Sequence, residues 1–291
     1  MTAGLPPALI ADAYRSACRA ELEALKPGNV HVYAHGHGMV VDDFERSALV
    51  TAGPLTQAGE RVGARVLAAV RATAAEVGTN TNLGILLLCA PLATAGESSD
   101  HLRPRLAEIL RTLDQEGARA VFEAIRIASP AGLGQASSHD VNQTTQVDLL
   151  TAMRAAADRD RIARAYATDF EDLFAIGLPA LAAARARGLE APWCTTAVYL
   201  EYLSRIPDTH IARKYGNPQA EAVCEEVQTV VRSLDLATNP AAVLLRLDAA
   251  LKARRLNPGT SADFTVATLF ADALLRAPQR HIDLVDGRVS G

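Results

Sequence analysis

Residues 83–95 read Leu83-Gly84-Ile85-Leu86-Leu87-Leu88-Cys89-Ala90-Pro91-Leu92-Ala93-Thr94-Ala95. The run is apolar on every face of a 3.6-residue period, so it reads as a helix enclosed by other elements. It is too short to cross a bilayer, which takes about 20 apolar residues. The rest of the chain must therefore supply the cover for a central buried helix. Composition says what that cover is made of. Ala and Leu are abundant and aromatic residues are only 4% of the chain, a balance that favours helices over strands. Hydrophobic residues are 49% of 291 positions, enough for a sizeable core.

Outward from this run, ten or more helices and no strand pattern are expected. One helix covers about residues 8–25 and stops at Pro27-Gly28. A His-rich polar loop follows, to about residue 41. Asp42 or Asp43 caps a helix that begins at Phe44, and Gly53-Pro54 breaks it. Further helices are expected over about 56–77, 103–113, 116–127, 147–160, 162–176, 179–187, 193–203, 208–214, 217–236 and 240–256. Thr260 caps the last clear one, on which Phe264, Ala267, Ala271 and Leu274 share a face. Residues 130–145 form a polar loop, and loops that long are usually functional or mobile. No repeat and no linker composition divides the chain. The expectation is an all-α, single multi-helix globular domain over residues 1–291, with a polar pocket at helix ends.

The net charge is −4, from 29 basic and 33 acidic residues, which argues against nucleic acid as a partner. Cys18, Cys89, Cys194 and Cys224 are far apart and form no C-x-x-C pair, as in a reduced cytoplasmic protein. No signal peptide or membrane span is expected. The apolar stretch 193–203 is a candidate interface for a homo-oligomer.

The polar residues concentrate at helix edges, where exposed N–H groups favour anions and above all phosphates. Lys26-Pro27-Gly28-Asn29-Val30-His31 offers a point charge and a close backbone approach, and equally reads as an ordinary helix end. His31, His35 and His37 could suit a metal, or lie on a plain polar loop. Gly78-Thr79-Asn80-Thr81-Asn82 holds more polar residues than capping the apolar helix needs. In Asp208-Thr209-His210-Ile211-Ala212-Arg213, Asp208 is a natural N-cap, and His210 and Arg213 lie one turn apart. In Asn257-Pro258-Gly259-Thr260-Ser261-Ala262-Asp263, Thr260 and Asp263 match a capping box, which leaves Ser261 and the Gly259 amide for a ligand. Asp140 and Asn142 lie in the long polar loop. Asp169, Glu171 and Asp172 form an acidic cluster that suits a solvated face.

Taken together, these segments resemble the triphosphoribosyl-dephospho-CoA synthase family. The matching pieces are Leu22-Glu23-Ala24 with Lys26-Pro27-Gly28, then Asn80-Thr81-Asn82, then Asp208-Thr209 with Arg213, then Asn257-Pro258-Gly259 with Ser261-Ala262-Asp263. They stand in family order over about residues 20–275. The resemblance implies an all-helical enzyme of prosthetic-group synthesis. Its substrates would be ATP and dephospho-CoA or a related acceptor. The acceptor ribose 2′-hydroxyl attacks the anomeric carbon of ATP, adenine leaves and the triphosphate is retained. Carboxylates then serve as base and charge stabiliser, and Mg²⁺ screens the triphosphate. On this reading Asp208, Asp263 and Asp140 are catalytic, and Asp208 and Asp263 hold the metal. Nucleotide and phosphate contacts fall to Lys26, Gly28, Asn29, His31, Thr79, Asn80, Thr81, Asn82, Thr209, His210, Arg213, Asn257, Gly259 and Ser261. The chain departs from the family pattern at three places. Asn82-Leu83-Gly84 replaces Asn-Thr-His-Lys-Gly in its latter part. The Gly-Ala-Arg-Gly-Glu-Ala segment is missing near residues 130–140, and His-Asp-Met is only echoed by His37-Gly38-Met39. Two other classes remain alternatives: a metal-dependent nucleotide hydrolase, and a noncatalytic helical protein that binds a nucleotide.

Overall fold

The computed structural model describes residues 4–36, 38–98, 101–128, 147–238 and 240–286, with side chains to 277. The apolar run forms α4 (Leu83–Gly96). Leu86, Leu88, Cys89, Ala90, Leu92 and Ala93 on it have no solvent exposure, as an all-round apolar helix requires. Its cover is helical, and the described residues contain no strand. Touching α4 are α1 (Pro7–Glu23), α2 (Val41–Leu55), α3 (Val62–Val77), α5 (Leu102–Arg111), α6 (Gln115–Ala128), α8 (Arg161–Ala167) and α14 (Gly259–Asp286). Between α6 and α8 lies α7 (Leu149–Ala156). The fold is all-α, as composition and periodicity predict. No helix among the described residues is long and apolar enough to cross a membrane.

A second, smaller apolar cluster joins Leu25, Ile211, Val223, Val227, Leu244, Leu247, Leu251 and Leu256. It is built from α11 (Thr209–Tyr215), α12 (Asn217–Arg232) and α13 (Ala241–Ala253). The helix α10 (Ala191–Arg205) stands between the clusters. Val198 and Tyr202 face the first cluster, while Tyr199, Leu200 and Leu203 face the second. Most residues of the apolar stretch 193–203 are thus buried within the chain.

Several boundaries differ from expectation for local reasons. Helix α2 starts at Val41 because the Asp43 carboxylate accepts the Val40 N–H at 3.0 Å. It also continues past Gly53-Pro54, since the Thr56 N–H closes the last turn on the Ala52 and Gly53 carbonyls at 3.2 and 3.1 Å. The helix expected over 162–176 is interrupted. Asp169 and Phe170 take left-handed φ of 49° and 57°, and a π-helical turn, Leu173–Gly177, then leads into α9 (Leu178–Ala186). Asp172 of the acidic cluster does not lie on a solvated face. It is buried and receives two bonds from Arg161, at 2.6 and 2.7 Å. The polar loop with Asp140 and Asn142, and His37, lie outside the described residues.

Removing side-chain volume from an enclosed helix leaves a cavity as well as lost transfer energy. Leu88→Ala should therefore lower unfolding stability by about 2–5 kcal/mol. Leu49→Ala, at a position 65% exposed, should stay within about 0.5 kcal/mol of the parent. Chemical denaturation of both variants checks the pair.

Candidate active site

Asp208 is buried, and it caps α11. Its Oδ1 accepts the N–H groups of His210 and Ile211 at 2.9 and 3.3 Å. Its Oδ2 accepts both the N–H and the hydroxyl of Ser261 at 2.8 Å each. One carboxylate thus satisfies donors at two helix N-termini, where a negative charge is favoured. The box expected between Thr260 and Asp263 is absent for that reason. The Thr260 hydroxyl accepts the His210 N–H at 3.1 Å and lies 3.1 Å from the Thr209 hydroxyl. The Gly259 N–H turns to the Asn257 carbonyl at 2.8 Å. Ser261 and the Gly259 amide are consequently engaged within the protein. Asp263 is released from capping.

The turn after α1 is knit from inside. Lys26 is fully buried, and its ammonium donates to Glu21, to Asn29 Oδ1 at 3.2 Å and to the Val30 carbonyl at 2.8 Å. Its three donors are spent, so it neutralises Glu21 instead of reaching a phosphate. Burial pushes the Glu21 carboxyl up and the Lys26 ammonium down, and their mutual attraction opposes both shifts. The Gly28 N–H donates to Asp248 at 2.8 Å. Gly28 has φ +84°, and a Cβ there would lie 2.8 Å from Pro258 Cδ. His31 is fully buried, with Nε2 3.3 Å from Asp248 Oδ1 and, among the described residues, no hydrogen-bond geometry at either ring nitrogen. Burial lowers its pKa, which the Asp248 contact opposes. Asn29 Nδ2 donates to Asn257 Oδ1 at 2.8 Å, so the two expected turns meet.

At the head of α4, Asn80 Oδ1 accepts the N–H groups of Asn82 and Leu83 at 3.3 and 3.1 Å. Thr81 lies 2.6 Å from the Ser47 hydroxyl. Asn82 Oδ1 accepts from the Thr73 hydroxyl at 3.1 Å, while its buried Nδ2 has no partner among the described residues.

These edges surround a cavity of about 490 Å³. Its polar wall carries Glu21, Asn29, Asn80, Thr81, Asn82, Asp160, Thr209, His210, Arg213, Asn257, Gly259, Thr260 and Asp263. Its apolar wall carries Ile85, Leu87, Phe122, Ile125, Met153 and Ile162. Ten residues expected at the site therefore line one space. Lys26, Gly28, His31, Thr79, Asp208 and Ser261 do not. Thr79 is exposed, and the others are buried behind the wall. The sequence reading missed Glu21, Arg159 and Asp160. Glu21 had a signal, since it shares the buried face of α1 with Tyr14, Ala17 and Cys18. A carboxylate on an apolar stripe is costly unless it has a task.

Asp263 is the unusual member. Among the described residues no hydrogen-bond donor reaches its carboxylate. Burial, with the charges of Asp208 and Glu21, holds its carboxyl well above the ordinary range, and Arg213 opposes the shift. Its Oδ2 occupies the space where a Gly84 Cβ would stand, 2.0 Å away. Strongly perturbed carboxyls in clefts mark functional sites. Fully bonded carboxylates such as Asp208 position others.

Residues 7–281 match the sequence model of the ATP:dephospho-CoA triphosphoribosyl transferase family. The chain belongs to that family. Membership places it among transferases. It is also similar in fold to a provisionally assigned triphosphoribosyl-dephospho-CoA synthase of Archaeoglobus fulgidus, with TM-score 0.63 and 22% identity, over 79% of this chain and 97% of that one. No curated protein matches the chain. The fold brings the segments carrying Asn80, Asp208, Asn257 and Asp263 together around one cavity.

Asp208→Asn exchanges one acceptor oxygen for an amide that faces existing donors. It should lower stability by about 1–3 kcal/mol, read as a fall in the unfolding midpoint. Gly84→Ala should displace the Asp263 carboxylate and reduce turnover far more than it reduces stability.

Proposed function

We propose that the chain moves the triphosphoribosyl group of ATP to the ribose 2′-hydroxyl of dephospho-CoA or a closely related acceptor, in prosthetic-group synthesis. Family membership supports the reaction class. The observation that carries the residue assignment is the undonated Asp263 carboxylate on the cavity wall.

A bond forms between the acceptor 2′-oxygen and the anomeric carbon of ATP. The bond from that carbon to adenine breaks, the departing base nitrogen takes up a proton from water, and the triphosphate stays on the ribose. We assign Asp263 to take the proton of the 2′-hydroxyl, a task suited to a carboxyl with a raised pKa. Until it takes that proton, the Asp263 carboxylate places negative charge beside the oxocarbenium-like ribose. The apolar wall suits the flat base, and the polar wall suits the ribose and phosphates. Asn29, Asn80, Asn82, Thr209, His210 and Asn257 supply amide, hydroxyl and imidazole groups to orient them. Asp208, Lys26, Gly28, His31 and Ser261 act from behind, by holding these residues in place.

Mg²⁺ fits this donor set as an ion carried mainly by the substrate. Among the described residues no three His, Cys, Asp or Glu side chains converge, and Mg²⁺ commonly takes one or two carboxylates plus phosphate oxygens. Asp160 would hold it, because only one of its oxygens caps α8, at 2.8 and 3.1 Å to Ile162 and Ala163. The ion would supply charge neutralisation to the triphosphate. Asp208 does not suit this role, since both its oxygens are filled. Four free thiols support a reducing, cytoplasmic setting.

Mass spectrometry of the protein with ATP, Mg²⁺ and dephospho-CoA should yield adenine and a triphosphoribosyl adduct. Adenine or phosphate release with water alone would replace the transferase reading with a hydrolase. Asp263→Asn should abolish adduct formation while ATP still binds. The pH dependence has a definite sign. A base works unprotonated, so kcat/KM should rise with pH through an apparent pKa above the ordinary carboxylate range. Stability runs the other way. Folded Asp263 keeps a proton that the unfolded chain has lost above about pH 4, so its contribution is lost as pH rises through the raised pKa. Asp263→Asn should be the more stable protein at pH 8, by a margin that shrinks toward pH 4.

A further inference from the structure

Phosphates in this cavity need cations, and three of its lining residues are acidic. Glu21, Asp160 and Asp263 line it. Lys26 is committed to Glu21. Arg213 lies 3.7 Å from Asp160 and 3.5 Å from His210 Nδ1, so its charge is shared. Arg159 differs. It lines the cavity and is exposed, which puts it at the rim. Among the described residues its one side-chain hydrogen bond runs from Nη1 to the Ala155 carbonyl at 3.2 Å, and no carboxylate pairs with it. The remaining guanidinium donors are open to a ligand.

The corner that carries Arg159 is built firmly. Asp160 caps α8 beside it. The next residue, Arg161, is clamped to Asp172 by two bonds, and its N–H donates to the Thr209 hydroxyl at 3.3 Å. Thr209 in turn lies against Thr260. The rim position of Arg159 is therefore tied to the same elements that set the polar wall. An exposed side chain without a carboxylate partner, on a backbone so anchored, is suited to grip a flexible anion.

We infer that Arg159 is the principal phosphate-binding cation of the site and grips the outer phosphates of the triphosphate, with Arg213 as its weaker companion across Asp160. This rests on the reaction proposed above. It separates two tasks along the cavity, with chemistry at Asp263 inside and polyphosphate selection at the rim.

Inorganic tripolyphosphate with Mg²⁺ is the probe, titrated calorimetrically into the full chain. Arg159→Ala should weaken its binding about tenfold and flatten its salt dependence, as loss of an exposed charge requires. Arg159→Lys should recover part of the affinity, and Arg154→Ala, on the exposed side of α7, should change nothing. With ATP, Arg159→Ala should raise KM more than it lowers kcat, at an unchanged unfolding midpoint. Parental affinity in Arg159→Ala would overturn the assignment and leave the reaction reading intact. If the parent protein binds neither tripolyphosphate nor ATP, both are overturned.

Discussion

The Asp208 carboxylate is the interaction on which the site depends. A buried carboxylate is costly unless its oxygens are filled. Here it is filled by the first free N–H groups of two helices that approach from different parts of the chain. That demand fixes the start of α11 against the start of α14. Everything on the polar wall downstream of it, from Thr209 to Arg213 and from Gly259 to Asp263, takes its position from this junction. The same junction relieves Thr260 and Asp263 of the capping work their spacing suggests. It leaves the Asp263 carboxylate on the cavity wall, repelled by Asp208 and Glu21 and, among the described residues, without a donor.

A second junction repeats the logic with opposite charge. Lys26 would be intolerable at full burial without Glu21, Asn29 and the Val30 carbonyl around it. Gly28 and His31 converge on Asp248, and Asn29 reaches Asn257. The turn after α1 and the turn before α14 are thereby locked as one unit. Lys26, Gly28, His31, Asp208 and Ser261 stand behind the cavity wall, while Glu21, Asn29 and Asn257 bring the second junction onto it. Asp263, Asp160 and Asn82, which face the cavity, carry unfilled or partly filled polar groups. Division of labour between filled and unfilled groups explains why short, similar-looking polar turns take such different roles.

Much of the fold was legible because its signals are local. Residues 83–95 announce a buried helix, and Pro, Gly and Asx residues punctuate the others. The break at Asp169 and Phe170 was not legible, since neither is a glycine and tertiary contacts impose their left-handed backbone. Prolines mislead in the opposite direction at Pro54, where a bond made two residues later closes the turn. For the site, sequence order shows which polar turns exist and not which of their atoms meet. Lys26 looks like a reaching cation until Glu21, on the buried face of the preceding helix, is seen to claim it. Ser261 looks available until Asp208, more than fifty residues earlier, takes both its donors. Arg159 and Asp160 carry no spacing signal, because their place on the rim comes from the Arg161–Asp172 clamp.

Gly84 and Asp263 have a relation that outlasts any single chemistry. The carboxylate stands where a side chain at 84 would stand, so the two positions are coupled. A methyl added at 84 turns the Asp263 carboxylate aside and leaves the chain folded, because the atom in its path is the far end of a flexible side chain. The pair is therefore epistatic: what position 84 tolerates depends on the length of the residue at 263.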